Sequence, residues 1–121
     1  MKRTLILLAA CAAVGATLFA LAPFAGARPA VQTATSVSVT AKEYKFILSR
    51  KRAPHGTVVF HVTNKGKLKH DFKIAGKKTA LIKPRGKATL RVRLAKGKSY
   101  KYICTVPGHA TLGMKGTFKA T

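Results

Sequence analysis

Apolar residues recur at every second position through most of the chain, and this alternation limits the fold more than any other feature of the sequence. Val37, Val39 and Ala41 alternate with Ser38 and Thr40. The same period carries Tyr44, Phe46 and Leu48, then Val58, Phe60 and Val62, then His70, Phe72 and Ile74. It returns in Leu90, Val92 and Leu94, in Tyr100, Tyr102 and Cys104, and in Met114, Gly116, Phe118 and Ala120. Successive side chains of a strand point to opposite faces, so each run has one face for a core and one for water. Turn residues separate the runs: Pro54-His55-Gly56, Asn64-Lys65-Gly66, Gly76, Pro84-Arg85-Gly86, Lys96-Gly97 and Pro107-Gly108. The pattern predicts an all-β sandwich or barrel of seven to eight half-buried, antiparallel strands. Lys77–Ile82 follows no clear period and is read as an irregular or edge segment.

The start of the chain obeys a different rule. Lys2 and Arg3 precede an almost wholly apolar stretch from Thr4 to Ala22, and Ala25-Gly26-Ala27 offers the small-x-small pattern of a cleavage site. This is the order of a secretory signal peptide, expected over residues 1–27, with a linker at 28–35 and one domain over 36–121. Left uncut, the apolar run is long enough to anchor the protein in a bilayer. Leu8-Ala9-Ala10-Cys11 also resembles a lipoprotein cleavage box. All three readings export the domain to the periplasm or the extracellular space.

Export makes the cysteine count informative. Only two cysteines are present, and Cys11 lies in the expected signal segment. Cys104 is then a lone thiol in an oxidising compartment, where a bound metal is its natural occupant.

Charge narrows the partners. Lysine and arginine number 24 against two acidic residues, Glu43 and Asp71, and loss of Lys2 and Arg3 takes the formal charge from +22 to +20. Such a field favours acidic redox proteins or an anionic envelope surface. The basic residues are spread along outward strand positions and no nucleic-acid motif accompanies them, so no nucleic-acid partner is expected.

The alternation also places chemistry. His70, Cys104 and Met114 fall on the inward set of their strands, and His109 stands midway in the loop between Cys104 and Met114. Two imidazoles, a thiolate and a thioether can therefore meet at one pole. A trigonal two-nitrogen, one-thiolate set with a weak axial methionine is that of a blue-copper electron-transfer site. Structural zinc would want a fourth strong ligand instead of a thioether. Taken singly, each residue has a plainer reading: Cys104 and Met114 as core filling, His70 as a hydrogen-bonded core histidine. His55, in a turn, and His61, pointing outward, are given no functional role.

Tyr102-Ile-Cys-Thr-Val-Pro-Gly-His-Ala-Thr-Leu-Gly-Met-Lys-Gly-Thr-Phe118 resembles the copper loop of cupredoxins. Its Cys-x4-His-x4-Met spacing is similar to that of rusticyanin and sulfocyanin, and Lys69-His70-Asp71-Phe72 resembles the position of the first histidine ligand. The resemblance spans residues 36–121. It implies a cupredoxin-like Greek-key β-sandwich, one type 1 copper ion on His70, Cys104, His109 and Met114, and single-electron shuttling by a monomer with no small-molecule substrate. It also implies no enzymatic activity, all four ligands coming from protein. Relatives commonly carry asparagine after the first histidine; here Asp71 is placed to accept hydrogen bonds from Thr105 and to favour Cu(II) by its charge. Pro107, Gly108, Ala110, Leu112 and Gly113 surround His109 with small, uncharged residues. Loop geometry alone would explain them, and a docking patch for electron exchange is the functional reading. The alternative function is a copper carrier or tolerance protein, which usually shows extra exposed methionine or histidine. After residue 27 this chain has Met114 alone.

Overall fold

The computed structural model describes residues 31–121 without interruption, together with Ala12, Gly15, Pro23 and residues 25–29. The expected signal segment at 1–27 thus lies largely outside the described residues. Among the described residues no helix is long and apolar enough to cross a membrane.

Among the described residues nine strands make two sheets. In chain order they are β1 (Thr35–Lys42), β2 (Lys45–Leu48), β3 (Arg52–Ala53), β4 (Gly56–Asn64), β5 (Lys73–Ile74), β6 (Lys77–Lys78), β7 (Lys87–Leu94), β8 (Ser99–Ile103) and β9 (Lys115–Ala120). One sheet has the order β2-β1-β4-β7 and the other β3-β9-β8-β5-β6. The seven alternating runs of the sequence supply β1, β2, β4, β5, β7, β8 and β9. Of the run His70-Phe72-Ile74 only the end pairs, as the two-residue β5, and the remaining β3 and β6 are likewise two-residue pieces, too short to carry a period. The segment after Gly76 becomes β6 at a sheet edge and then leads to Ile82, which is buried.

Pairing departs from the antiparallel expectation in two places. β1 runs parallel to β4, and β3 parallel to β9. Alternation reports which face of a strand is buried and carries no information on a neighbour's direction. The faces themselves follow the sequence: Val37, Val39, Val58, Phe60, Val62, Val92, Leu94 and Phe118 are all essentially inaccessible. Val59, on the other face of β4, is half-buried, and Arg91 and Arg93 face out.

Aromatic rings fill the space between the sheets. Phe72 stands edge-on to Phe46 at 5.1 Å, tilted on Phe60 at 5.2 Å and stacked with Tyr102 at 5.5 Å, while Phe60 meets Phe118 edge-on at 5.2 Å. Edge-to-face and offset contacts at these distances are favourable beyond the area they bury. Phe72 follows His70 by two residues, and Tyr102 precedes Cys104 by two. The aromatic cluster therefore forms the floor beneath the functional pole.

Candidate metal centre

His70 lies outside any extended strand. It is held by a single antiparallel bridge to Ile82, with His70 N–H donating to Ile82 O at 3.1 Å and Ile82 N–H donating to His70 O at 2.7 Å. A buried side chain reinforces the bridge. Asn64, at the end of β4, donates through Nδ2 to Leu68 O and Ile82 O, both at 2.8 Å, and accepts Gly66 N–H at 2.9 Å. One amide thus ties the 64–68 turn to the segment that holds His70. Sequence reading took Asn64 for a turn residue only.

Cys104 and Met114 face each other where β8 and β9 diverge. Cys104 N–H donates to Met114 O and Met114 N–H to His109 O, each at 3.0 Å, so the loop folds back on its middle histidine. Gly108 (φ +84°) and Gly113 (φ +110°) take left-handed backbone on either side of His109, which side chains with a Cβ rarely adopt. The eleven residues from Cys104 to Met114 thereby close into a tight loop that delivers three donors to one point.

The donors converge. His70 Nδ1 lies 3.1 Å from His109 Nδ1, and Cys104 Sγ lies 3.5 Å from His109 Nδ1 and 4.0 Å from His70 Nδ1. Two donors bound to one ion at about 2.0–2.3 Å are separated by roughly 3–4 Å, so these three fit a common metal. Lone pairs aimed at one another at this range repel unless a proton or a metal ion sits between them. All three residues are buried, and Met114 is wholly inaccessible beside them. Burial, and then the neighbouring His70, lowers the pKa of His109, which favours the neutral ring with a free lone pair. Burial raises the pKa of Cys104, so metal must displace the thiol proton on binding.

Carboxylates brace the ligands from outside. Asp71 accepts Thr105 N–H at 2.6 Å and also the Thr105 hydroxyl, fastening the His70 segment to the residue after Cys104. Glu43 sits in the β1–β2 turn and accepts Lys67 N–H at 2.6 Å, Leu68 N–H at 2.7 Å and His70 Nε2–H at 3.2 Å. These hydrogen bonds, that of Leu68 foremost, bring its pKa down to about 2. The adjacent Tyr44 ring packs edge-on against His109 at 5.1 Å. One turn therefore touches both histidines. Neither contact was evident from the sequence, because residues 43 and 70, and 44 and 109, are far apart in the chain.

Comparison with known proteins agrees with this geometry. Residues 29–121 match the family of copper binding proteins described as plastocyanin/azurin. The chain belongs to that family. Among solved structures this cupredoxin is similar to a dithionite-reduced auracyanin from Roseiflexus castenholzii, at 18% identity and a TM-score of 0.63, over 72% of this chain and 97% of that one. It is similar to auracyanin A, a blue copper protein of Chloroflexus aurantiacus, at 17% identity and TM-score 0.61, over 74% of this chain and 100% of that one. Rusticyanin of Thiobacillus ferrooxidans gives 22% identity and TM-score 0.60, over 73% and 77%. Likeness at such identities bears on the fold. No curated protein matches the chain significantly. In this cupredoxin His70, Cys104, His109 and Met114 are arranged as a type 1 copper site.

The residues around His109 differ in exposure. Pro107, Gly108, Leu112 and Gly113 are exposed, Ala110 is half-buried, and His109 itself is 7% exposed. His55 and His61 are accounted for elsewhere. His55 packs in the turn before β4 with Nδ1 3.0 Å from Thr121 O, and His61 faces outward from β4 beside Thr89.

Proposed function

We propose that this cupredoxin is a one-electron shuttle working outside the cytoplasm between larger redox proteins, at least one of which presents an acidic face. The convergence of His70, Cys104 and His109 in a buried, hydrogen-bonded frame is the observation that carries the reading. Copper bound there supplies a couple between Cu(II) and Cu(I). The soft sulfurs of Cys104 and Met114 suit the reduced ion and the two imidazoles the oxidised one. The Asn64, Glu43 and Asp71 contacts hold the ligands in place in either state, so little has to move when an electron arrives. All four donors come from protein, leaving no position for a substrate. The His109 ring, under its uncharged rim, is the natural electron exit, and the exposed Pro107, Gly108, Leu112 and Gly113, with Ala110, make a surface another protein can cover.

Export is supported by the basic start, the apolar run and Ala25-Gly26-Ala27, and by a lone thiol given to metal. An acidic partner is supported by the surplus of lysine and arginine. Lys45, Lys73, Arg91, Arg93, Lys101, Lys115 and Lys119 are all exposed and act together as a long-range attraction. Stopped-flow oxidation of the copper-loaded protein by one anionic and one cationic reagent tests the steering. At about 0.15 M salt the screening length is only ~8 Å, so the anionic reagent should slow steeply with salt and the cationic one should accelerate. Indifference of both to salt would remove the steering role.

A further inference from the structure

We propose that Glu43 is a positioning residue of the copper site: its carboxylate holds the His70 ring with Nε2 protonated and Nδ1 free for the metal, and its charge favours Cu(II). This rests on the copper reading and adds to it a residue that the ligand motif does not contain.

The hydrogen-bond pattern makes the case. His70 Nδ1 faces Cys104 and His109, while Nε2 lies 3.2 Å from Glu43 Oε1. A carboxylate on one ring nitrogen can only accept, so it selects the tautomer protonated there and leaves the other nitrogen as a ligand. The carboxylate is itself fixed, because Lys67 N–H and Leu68 N–H donate to the same oxygen. Room for it has been left in the backbone. A Cβ on Gly66 would collide with the Glu43 carboxylate, although Gly66 has no left-handed φ that would otherwise call for glycine.

Charge supplies an independent argument. The chain has two acidic side chains against 24 basic ones, and both stand against the ligand set. Asp71 follows His70 and grips Thr105, and Glu43 grips His70 itself. Asp71 also meets the exposed Lys78 Nζ of β6 at 3.9 Å, whereas Glu43 is held by the Lys67 and Leu68 amides and His70. A negative charge one ring away from the metal stabilises the more highly charged ion, and here it stands against the large positive charge of the chain as a whole.

Glu43→Gln in the full chain, loaded with copper, separates this role from simple support of the turn. Glutamine keeps an oxygen for the Lys67 and Leu68 amides and loses the charge. The blue band should persist, affinity for Cu(II) should fall by about tenfold or more, and the reduction potential should rise. Each tenfold lost by Cu(II) alone corresponds to about 59 mV. A residue that only braced the 65–68 turn would lower the melting temperature and leave the potential where it was. A blue Glu43→Gln protein with an unchanged or lowered potential overturns the proposal. So does nitrogen NMR of the Cu(I) wild type if it places the His70 proton on Nδ1. If the glutamine variant does not fold, Gly66→Ala takes over the test: it keeps the charge but denies the carboxylate its place. Its potential should rise too, and an unmoved potential there also overturns the proposal. A wild-type protein that binds Cu(II) without a blue band refutes the copper reading itself, an outcome distinct from either variant's.

Discussion

The sandwich body and the metal pole of this protein are held together by different physics. Between the sheets the side chains are apolar, and the longer strands contribute residues two apart. At the pole the backbone is irregular and polar contacts take over. The buried polar or charged residues among those described are Asn64, His70, Asp71, Thr79 and His109. Four of them are ligands or tie ligand segments together. Thr79, through its backbone and hydroxyl, pairs with Phe72 just below. Apolar burial is non-directional and tolerant of detail, whereas buried polar groups must each find a partner. The body therefore sets stability, and the pole sets geometry at a point where stability alone would ask for hydrophobes.

The sharpest way to break this division is to remove the thiolate. Cys104→Ser should abolish the blue absorption outright, because serine offers a far poorer anionic ligand, while the metal-free protein melts close to wild type. A blue serine variant would show that Cys104 is not the ligand. Phe72→Ala should do the opposite. It should cost about 3–5 kcal/mol of stability by opening a cavity among Phe46, Phe60 and Tyr102, measured by denaturant unfolding. A loss under about 1 kcal/mol would mean the aromatic floor is not the body's keystone.

How much of this could be read from sequence follows the same line. The alternation of Val37 to Ala41, Val58 to Val62 and Leu90 to Leu94 marked the buried faces because burial on a strand is periodic. The ligands Cys104, His109 and Met114 were legible because one short loop carries them, and His70 because it continues an alternating run. Glu43 and Asn64 were not legible. Each acts through one side chain on a distant turn, and in sequence they resemble any polar turn residue. Parallel pairing of β1 with β4 was hidden for a related reason, since a strand's own pattern does not record its neighbour's direction.

Smaller effects sharpen the picture of the pole. Met114→Leu should keep copper bound and raise the reduction potential, since a weak axial donor tunes the site more than it anchors it. Voltammetry checks this, and loss of copper altogether would contradict it. Glu43 adds a pH dependence. Its pKa in the folded protein, about 2, lies below the ordinary carboxylate value of 4.5. The group thus contributes stability that is fully present above about pH 4.5 and lost as the pH falls toward about 2. Acid unfolding of metal-free wild type should therefore be steeper across that window than that of Glu43→Gln. Equal slopes would mean that the Lys67, Leu68 and His70 contacts do not persist in solution.

Everything at the pole turns on His70, Cys104, His109 and Met114 binding copper as a type 1 site. The visible spectrum of the protein reconstituted with Cu(II) tests it most directly. The expected result is an intense blue thiolate-to-copper charge-transfer band that is bleached by a one-electron reductant and returns on reoxidation. A weakly coloured Cu(II) complex would contradict it and point to a copper carrier instead.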